Sequence, residues 1–303
     1  MNIQGLRYLR ALEQHRSFSR AAEACAVSQP TLSAQIRKLE AELGVQLFER
    51  DGRRLRATPV GEAIVAQAAI ALAAAERIEE LARAHADPLV GSLRVGLIPT
   101  LAPYLLSSLL SGARERLPEA PLVVSEEITP HLIAQLLDGR LDAAIVATDH
   151  RDEGLSEIPL FDEPFHLAVA PNDRLARRER VSLAEVDEHA LMLLVDGHCL
   201  RDQAIAMCSD ASRSRVLASE VRGTRIETLL NLVAAGHGCT IVPALALDGA
   251  RAFGVRTVEL SERGASRSVR LVHRPFAARR AALAALAQVV RERVPQARVR
   301  VTA

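Results

Sequence analysis

From Ser92 onward the hydrophobic pattern changes period again and again, and this limits the fold more than any other feature of the chain. Short apolar runs at Leu93 to Ile98, Leu122 to Ile128 and Ala143 to Ala147 alternate with helix-like stretches at Leu101 to Arg116 and His131 to Leu137. That alternation predicts βαβ units, a parallel sheet and helices on its faces. In open sheets of this kind ligands bind beyond the carboxyl ends of the strands. Thr100 and Thr129 stand there, each after a strand and before a helix. Both are candidate site residues, and both are equally explained as hydroxyl caps of the helices that follow.

The first 60 residues carry another signature. Leu6, Leu9 and Leu12 mark one helix face, and Phe18, Ala21 and Ala22 open a second helix. Ser28 is placed to cap a third, with Pro30 in its first turn, Leu32, Ile36, Leu39 and Leu43 along one side, and Gly44 as its stop. Leu47 to Arg50 and Arg53 to Thr58 then flank Asp51-Gly52, a two-residue hairpin signal. The order predicted is helix, turn, helix and wing. From Thr58 to about His85 a long alanine-rich helix follows, with Val65, Ala68, Leu72 and Ala75 in a stripe that suits either a partner helix or its own domain. Asp87-Pro88 and Gly91 read as a linker. The domain reading is therefore a winged helix-turn-helix at 1–60, a linker and dimerisation helix with hinge at 61–90, and an α/β regulatory domain at 91–303.

At 303 residues, 49% apolar and 25% charged, the chain has ample core for more than one domain and no signature of disorder. A formal net charge of +1 decides nothing about nucleic acid. Its distribution does: residues 1–60 hold ten basic against six acidic side chains, clustered at Arg37, Lys38 and from Arg50 to Arg56. The longest apolar run, Ala63 to Ala75, includes Gln67 and falls short of the ~18 residues of a membrane span. With no secretory signal in evidence, the expectation is a cytoplasmic protein without a membrane association. Four cysteines of this spacing form neither a disulfide framework nor a zinc site, so no metal and no cofactor are expected. Cys25 and Cys239 read as inert core thiols.

The string from Phe18 to Gly44, with Ala21-Ala22, Ser28-Gln29-Pro30-Thr31-Leu32-Ser33 and Ile36 to Leu43, continues into Leu47-Phe48-Glu49-Arg50 and Thr58-Pro59-Val60-Gly61. It resembles the amino-terminal signature of LysR-type regulators, with Val60 standing where a small residue is usual. Gly96 to Thr100, Asp196-Gly197-His198-Cys199-Leu200-Arg201-Asp202-Gln203, Cys208 and Val233 to Gly236 resemble the peroxide-sensing branch of that family, and the likeness runs essentially the full length, with residues 250–266 departing most. The resemblance implies an α/β protein with an N-terminal winged helix-turn-helix, a long linker helix and a two-lobed effector domain like periplasmic binding proteins. It further implies homodimers paired into homotetramers on promoter DNA, contact with RNA polymerase, and a regulator rather than an enzyme.

On that resemblance Ser28, Gln29, Pro30, Thr31 and Ser33 face the major groove. Arg37 and Lys38 hold phosphates, and Arg50, Arg53 and Arg54 grip the flanking backbone from the wing. Hydrogen peroxide would oxidise Cys199 to a sulfenic acid, Cys208 would resolve it as a disulfide, and a cellular dithiol would reset the pair. Cys199 then needs a lowered pKa, supplied by a helix amino terminus and a cation. Arg267 is the cation the family implies and Arg201 the sequence-local candidate, the latter also readable as a surface ion pair. Thr100, Thr129, His198 and Gln203 would position peroxide, and Asp202 would orient that shell. If residues 199–208 are helical, the two alpha carbons lie about 13 Å apart on opposite faces. A disulfide needs them within about 7 Å, so the bond and the helix exclude one another. Two other readings stay open: a LysR-type regulator taking a small carboxylate at Thr100 and Thr129, and a thiol peroxidase or reductase.

Overall fold

The computed structural model describes residues 1–51, 54–86, 89–186, 191–208, 222–262, 264–277 and 279–302. The chain divides into two compact units, Met1–Ala86 and Asp87–Ala303.

The first unit is three helices, α1 (Ile3–His15), α2 (Phe18–Ala24) and α3 (Gln29–Leu43), a hairpin of β1 (Phe48–Asp51) and β2 (Arg54–Ala57), and the long helix α4 (Pro59–Ala86). Ser28 caps α3 as expected, its side chain accepting from the Thr31 amide, and Gly44 ends it in the left-handed region at φ 68°. The α2 to α3 turn passes through Ala26 at φ 54°, a left-handed residue without the freedom of glycine. Leu9, Leu12, Ala21, Leu32 and Leu47 are fully buried between the elements.

The hairpin forms one residue later than expected. Asp51 pairs with Arg54, so the connection is 52 and 53, which lie outside the described residues. Cys25 is half-buried at the end of α2 and packs against the core of the first unit. The α4 stripe divides: Ala68 and Leu72 are buried against α1 and its neighbours, whereas Ile78 is 70% exposed.

Thr58-Pro59-Val60-Gly61 has a local cause. The Thr58 hydroxyl donates to the Gln46 carbonyl at 2.7 Å and accepts from the Gly61 amide at 3.0 Å, joining the start of α4 to the entry of the hairpin. A Cβ on Gly61 would lie 2.1 Å from the Leu47 carbonyl oxygen. Val60 is 42% exposed and crowds nothing.

The second unit has two lobes sharing one strand. In the first lobe β3 (Leu93–Leu97) pairs in parallel with β4 (Leu122–Glu126) and with β5 (Ala143–Val146), covered by α5 (Ala102–Arg116), α6 (Thr129–Leu137) and α10 (Arg280–Arg293). The second lobe holds β7 (Arg180–Val181), β8 (Leu191–Leu194), β9 (Arg222–Gly223), β10 (Cys239–Pro243) and β11 (Arg256–Leu260) with α7 (Cys199–Met207), α8 (Ile226–Ala234) and α9 (Leu247–Ala252).

Strand β6 (Ser156–Val169) runs through both. Its first part pairs antiparallel with β12 (Ser266–His273) and with the short β13 (Arg300–Val301), its second with β10 and β11. The wholly parallel sheet expected from the alternation is therefore a mixed one. The βαβ rule holds within each lobe, but a strand that crosses between lobes enters the second sheet against its direction.

Each lobe has its own apolar core. Phe161, Leu97 and Leu105 lie in the first, Phe165, Leu167 and Val242 in the second. Among the described residues no helix is long and apolar enough to cross a membrane.

Because the obstacle at Gly61 is backbone, Gly61→Ala should destabilise the first unit by about 1–3 kcal/mol. Urea unfolding monitored by a probe in the first unit should show it, with the second unit's transition unmoved.

Candidate functional site

In the first unit the buried side of α3 is Leu32, Ile36 and Leu39, which turns the opposite side outward. Ser28, Gln29, Pro30, Thr31, Arg37 and Lys38 are exposed and Ser33 half-buried, so the polar residues share one solvent-facing surface. The Ser28 and Thr31 hydroxyls bond one another at 2.7 Å, which fixes Thr31 over the first turn. Arg50 and Arg54 lie in β1 and β2, but their side chains, and Arg53 altogether, lie outside the described residues.

In the second unit α7 begins at Cys199, with His198 as its cap residue, and ends at Met207. Cys208 follows in extended backbone, its thiol donating to the Ala204 carbonyl at 3.4 Å. The 199 to 208 stretch is thus an ordered helix that keeps the sulfurs at opposite ends. Cys199 packs into the core of the first lobe and Cys208 into that of the second, both buried and both thiols. Leu200 and Ala204 seat the helix between them in the second core.

Three of the expected site residues meet around Cys199. Thr100, Thr129, His198 and Cys199 frame a space with no room for a water-sized molecule. On its other side Cys199 lines a cavity of about 500 Å³ walled by Thr129, Pro130, Ile133 and Leu137 and reaching Asp202. Of these two spaces only the second has volume for a reagent.

The two threonines are not helix caps. The cap residues of α5 and α6 are Leu101 and Ile128, and neither makes a side-chain cap bond. Thr100 instead accepts from Arg267 twice, at its hydroxyl (2.7 Å) and at its carbonyl (3.0 Å). Thr129 is buried, and its hydroxyl leans on the Cys199 sulfur closely enough to favour the thiolate without a hydrogen bond of full geometry.

Arg267 is buried and meets Glu163 at 2.8 Å, with both side chains fully shielded from solvent. The two face each other across the β12 to β6 ladder. Glu163 also accepts the Leu245 amide at 2.7 Å. This carboxylate escaped sequence reasoning: it lies 104 positions from its partner, and no local pattern marks it. Tyr104 also went unnoticed. It packs on both cores, and burial together with the nearby Glu227 carboxylate holds its phenol well above the usual range.

The expected lowering of the Cys199 pKa does not occur. Burial pushes the thiol up, and that outweighs the Arg267 charge, the Thr129 hydroxyl and the Leu200 amide, all of which pull it down. Arg267 is the strongest of the lowering influences, but it does not reach the size of the burial effect. His198 supplies no positive charge, since burial pushes its imidazole toward the neutral form.

Arg201, the alternative cation, turns away from the sulfur to Asp196 at 2.9 Å and to Asp202 at 3.4 Å, which is the ion-pair reading. Asp202 faces solvent at the cavity edge, where its charge disfavours the thiolate. Gln203 points elsewhere, donating to the Ala147 carbonyl at 2.8 Å. Cys239 is buried in the second core. Among the described residues no group of three His, Cys, Asp or Glu side chains is placed to hold a metal ion.

Residues 3–62 match the bacterial regulatory helix-turn-helix protein model of the lysR family, and residues 86–295 match the LysR substrate binding domain. A hydrogen peroxide-inducible genes activator of Dickeya chrysanthemi is 43% identical over 96% of this chain and 95% of its own. The chain belongs to the LysR family, in its OxyR branch. The DNA-binding transcriptional dual regulator OxyR of Escherichia coli K12 is 42% identical over 97% of this chain and 96% of its own. Among solved structures, a hydrogen-peroxide-bound cysteine-to-serine mutant of Corynebacterium glutamicum OxyR matches with a TM-score of 0.67 at 34% identity, covering 98% of this chain and 93% of that one.

Two outcomes follow from the electrostatics. A thiol with a raised pKa is mostly protonated at neutral pH, so alkylation of Cys199 by iodoacetamide should climb about tenfold per pH unit from pH 6 to 8 and level off only above the ordinary thiol range. Glu163→Gln leaves the guanidinium buried without its counter-charge and should cost about 3–5 kcal/mol in urea unfolding of the second unit.

Proposed function

We propose that this protein is a DNA-binding transcription regulator that reads hydrogen peroxide through Cys199 and Cys208. The single observation that carries this reading is that the two thiols sit in different cores, held apart by an ordered helix.

The Cys199 thiolate attacks one peroxide oxygen, the O–O bond breaks, and the leaving hydroxide is protonated to water. The sulfenic acid formed is then attacked by the Cys208 sulfur, giving the disulfide and a second water. Two thiols and one peroxide become one disulfide and two waters. The bond needs alpha carbons within about 7 Å, whereas nine helical steps hold them about 13 Å apart. Helix α7 must therefore unwind, and at least one sulfur must leave its core. A nine-residue helix has little stability of its own and depends on tertiary seating, so oxidation competes with a modest barrier.

The exposed polar side of α3 serves the DNA end. Gln29, Thr31 and Ser33 read base edges while Arg37, Lys38 and the wing arginines Arg50, Arg53 and Arg54 hold phosphates. The protein works in the cytoplasm as a homodimer or homotetramer on promoter DNA. It engages RNA polymerase, is reset by a dithiol, and uses one peroxide per cycle rather than turning over as an enzyme.

A carboxylate effector at Thr100 and Thr129 fits less well. Thr100 is engaged twice by Arg267, and the space between the threonines admits no water-sized group.

Mass spectrometry of peroxide-treated, alkylated protein should show a peptide cross-linked between Cys199 and Cys208. Promoter activation by peroxide in vitro should vanish in Cys199→Ser, and a full response in that variant removes the sensor reading. At the DNA end, Arg37→Ala should weaken binding to all sequences and reduce the salt slope by about one, whereas Gln29→Ala should relax sequence preference.

A further inference from the structure

Across the 500 Å³ cavity from Cys199 stand Thr148, His150 and Glu153, three side chains that the two-thiol chemistry leaves without a role. They form one hydrogen-bonded chain. The Thr148 hydroxyl lies 2.7 Å from His150 Nε2, and His150 Nδ1 lies 3.0 Å from the Glu153 carboxylate. The imidazole is buried, whereas the Glu153 side chain is 48% exposed.

A carboxylate offers only lone pairs, so Nδ1 carries the ring proton and Nε2 is left as an acceptor. The Thr148 hydroxyl therefore donates to Nε2 and keeps its own lone pairs for a donor arriving from the cavity. The backbone holds the ring in place: the His150 amide donates to Glu157 on β6 at 2.6 Å. Arg270 on β12 pairs with Glu157 at 2.8 Å and with Asp149 at 3.3 Å, and Arg151 pairs with Asp149 at 2.5 Å. The fixed charges around the ring are thus Glu153, Glu157 and Asp149 against Arg151 and Arg270, with Asp202 of α7 on the same cavity.

Cys199 is a buried thiol that must lose a proton to react, and its reaction then needs a proton for the leaving oxygen. We propose that Thr148, His150 and Glu153 form a proton relay serving Cys199 through the cavity they share, taking the thiol proton and returning it to the departing oxygen. This rests on the peroxide-sensing reading above. The cavity that both line has room for bridging water.

In the forward step the thiol proton passes along that bridge to the Thr148 oxygen while the Thr148 proton moves to Nε2, and Glu153 stabilises the imidazolium. The thiolate attacks peroxide and the O–O bond breaks. The proton then returns by the same path to the hydroxide, giving sulfenic acid and water with no net change in protons. These residues position and carry the proton without touching the sulfur.

The test is the second-order rate of Cys199 oxidation by hydrogen peroxide in reduced full-length protein, followed by rapid quench and alkylation from pH 5 to 9. His150→Gln and Thr148→Val should each slow it by about 100-fold, the lower end of what positioned acid–base groups contribute. Thr148→Ser, which keeps the hydroxyl, should recover most of the rate.

If His150→Gln and Thr148→Val match the wild type in rate at every pH while the Cys199 to Cys208 bond still forms, the relay is refuted and the sensor reading stands. Equal slowing in Thr148→Ser and Thr148→Val refutes it too, because the hydroxyl is then not the carrier. A wild-type protein that forms no such bond overturns both. Should His150→Gln fail to fold, the Thr148 pair decides alone.

Discussion

Every property of the regulatory unit returns to one constraint: a helix of nine residues holds two sulfurs in two separate cores. Cys199 is packed with the first lobe and Cys208 with the second, and α7 is the strut between them. Neither sulfur reaches the other while that helix exists, so the covalent state of the pair and the fold of the segment are one variable. Under the proposed chemistry, oxidation of the pair becomes a change in how the two lobes are joined.

Around Cys199, burial outweighs the Arg267 charge, the Thr129 hydroxyl and the Leu200 amide and pushes the thiol pKa up. The Arg267 to Glu163 pair contributes less as a bare cation than as a rivet between strands. It lies where β6 passes from one lobe to the other, and it ties Thr100 of the first lobe to that crossing. The same shielding that protects the thiol at rest makes its chemistry depend on how protons reach and leave it.

Much of the fold was legible in the residues because it is written in short-range interactions. Ser28 and Gly44 bound α3 through hydrogen bonds within four residues, and Thr58 joins helix to hairpin through bonds three and twelve positions away. Even there the hairpin slipped by one position, since Asp51-Gly52 marks a turn but not the register that β1 and β2 adopt. The same locality made Thr100 and Thr129 look like caps. Their hydroxyls in fact face Arg267 and Cys199, residues that the chain brings in from far away.

The amino-acid order alone determined the element order of the first unit, the limits and exposed side of α3, and the rule that residues 199–208, if helical, cannot close a disulfide, because all of these depend on backbone geometry and periodicity over a few residues. Tertiary structure alone decided that Glu163 neutralises Arg267, that β6 enters two sheets, that the thiols occupy different cores and that the Cys199 pKa rises. Burial and Coulomb interaction depend on separation in space, and Glu163 and Arg267 are adjacent only after the strands that carry them have paired.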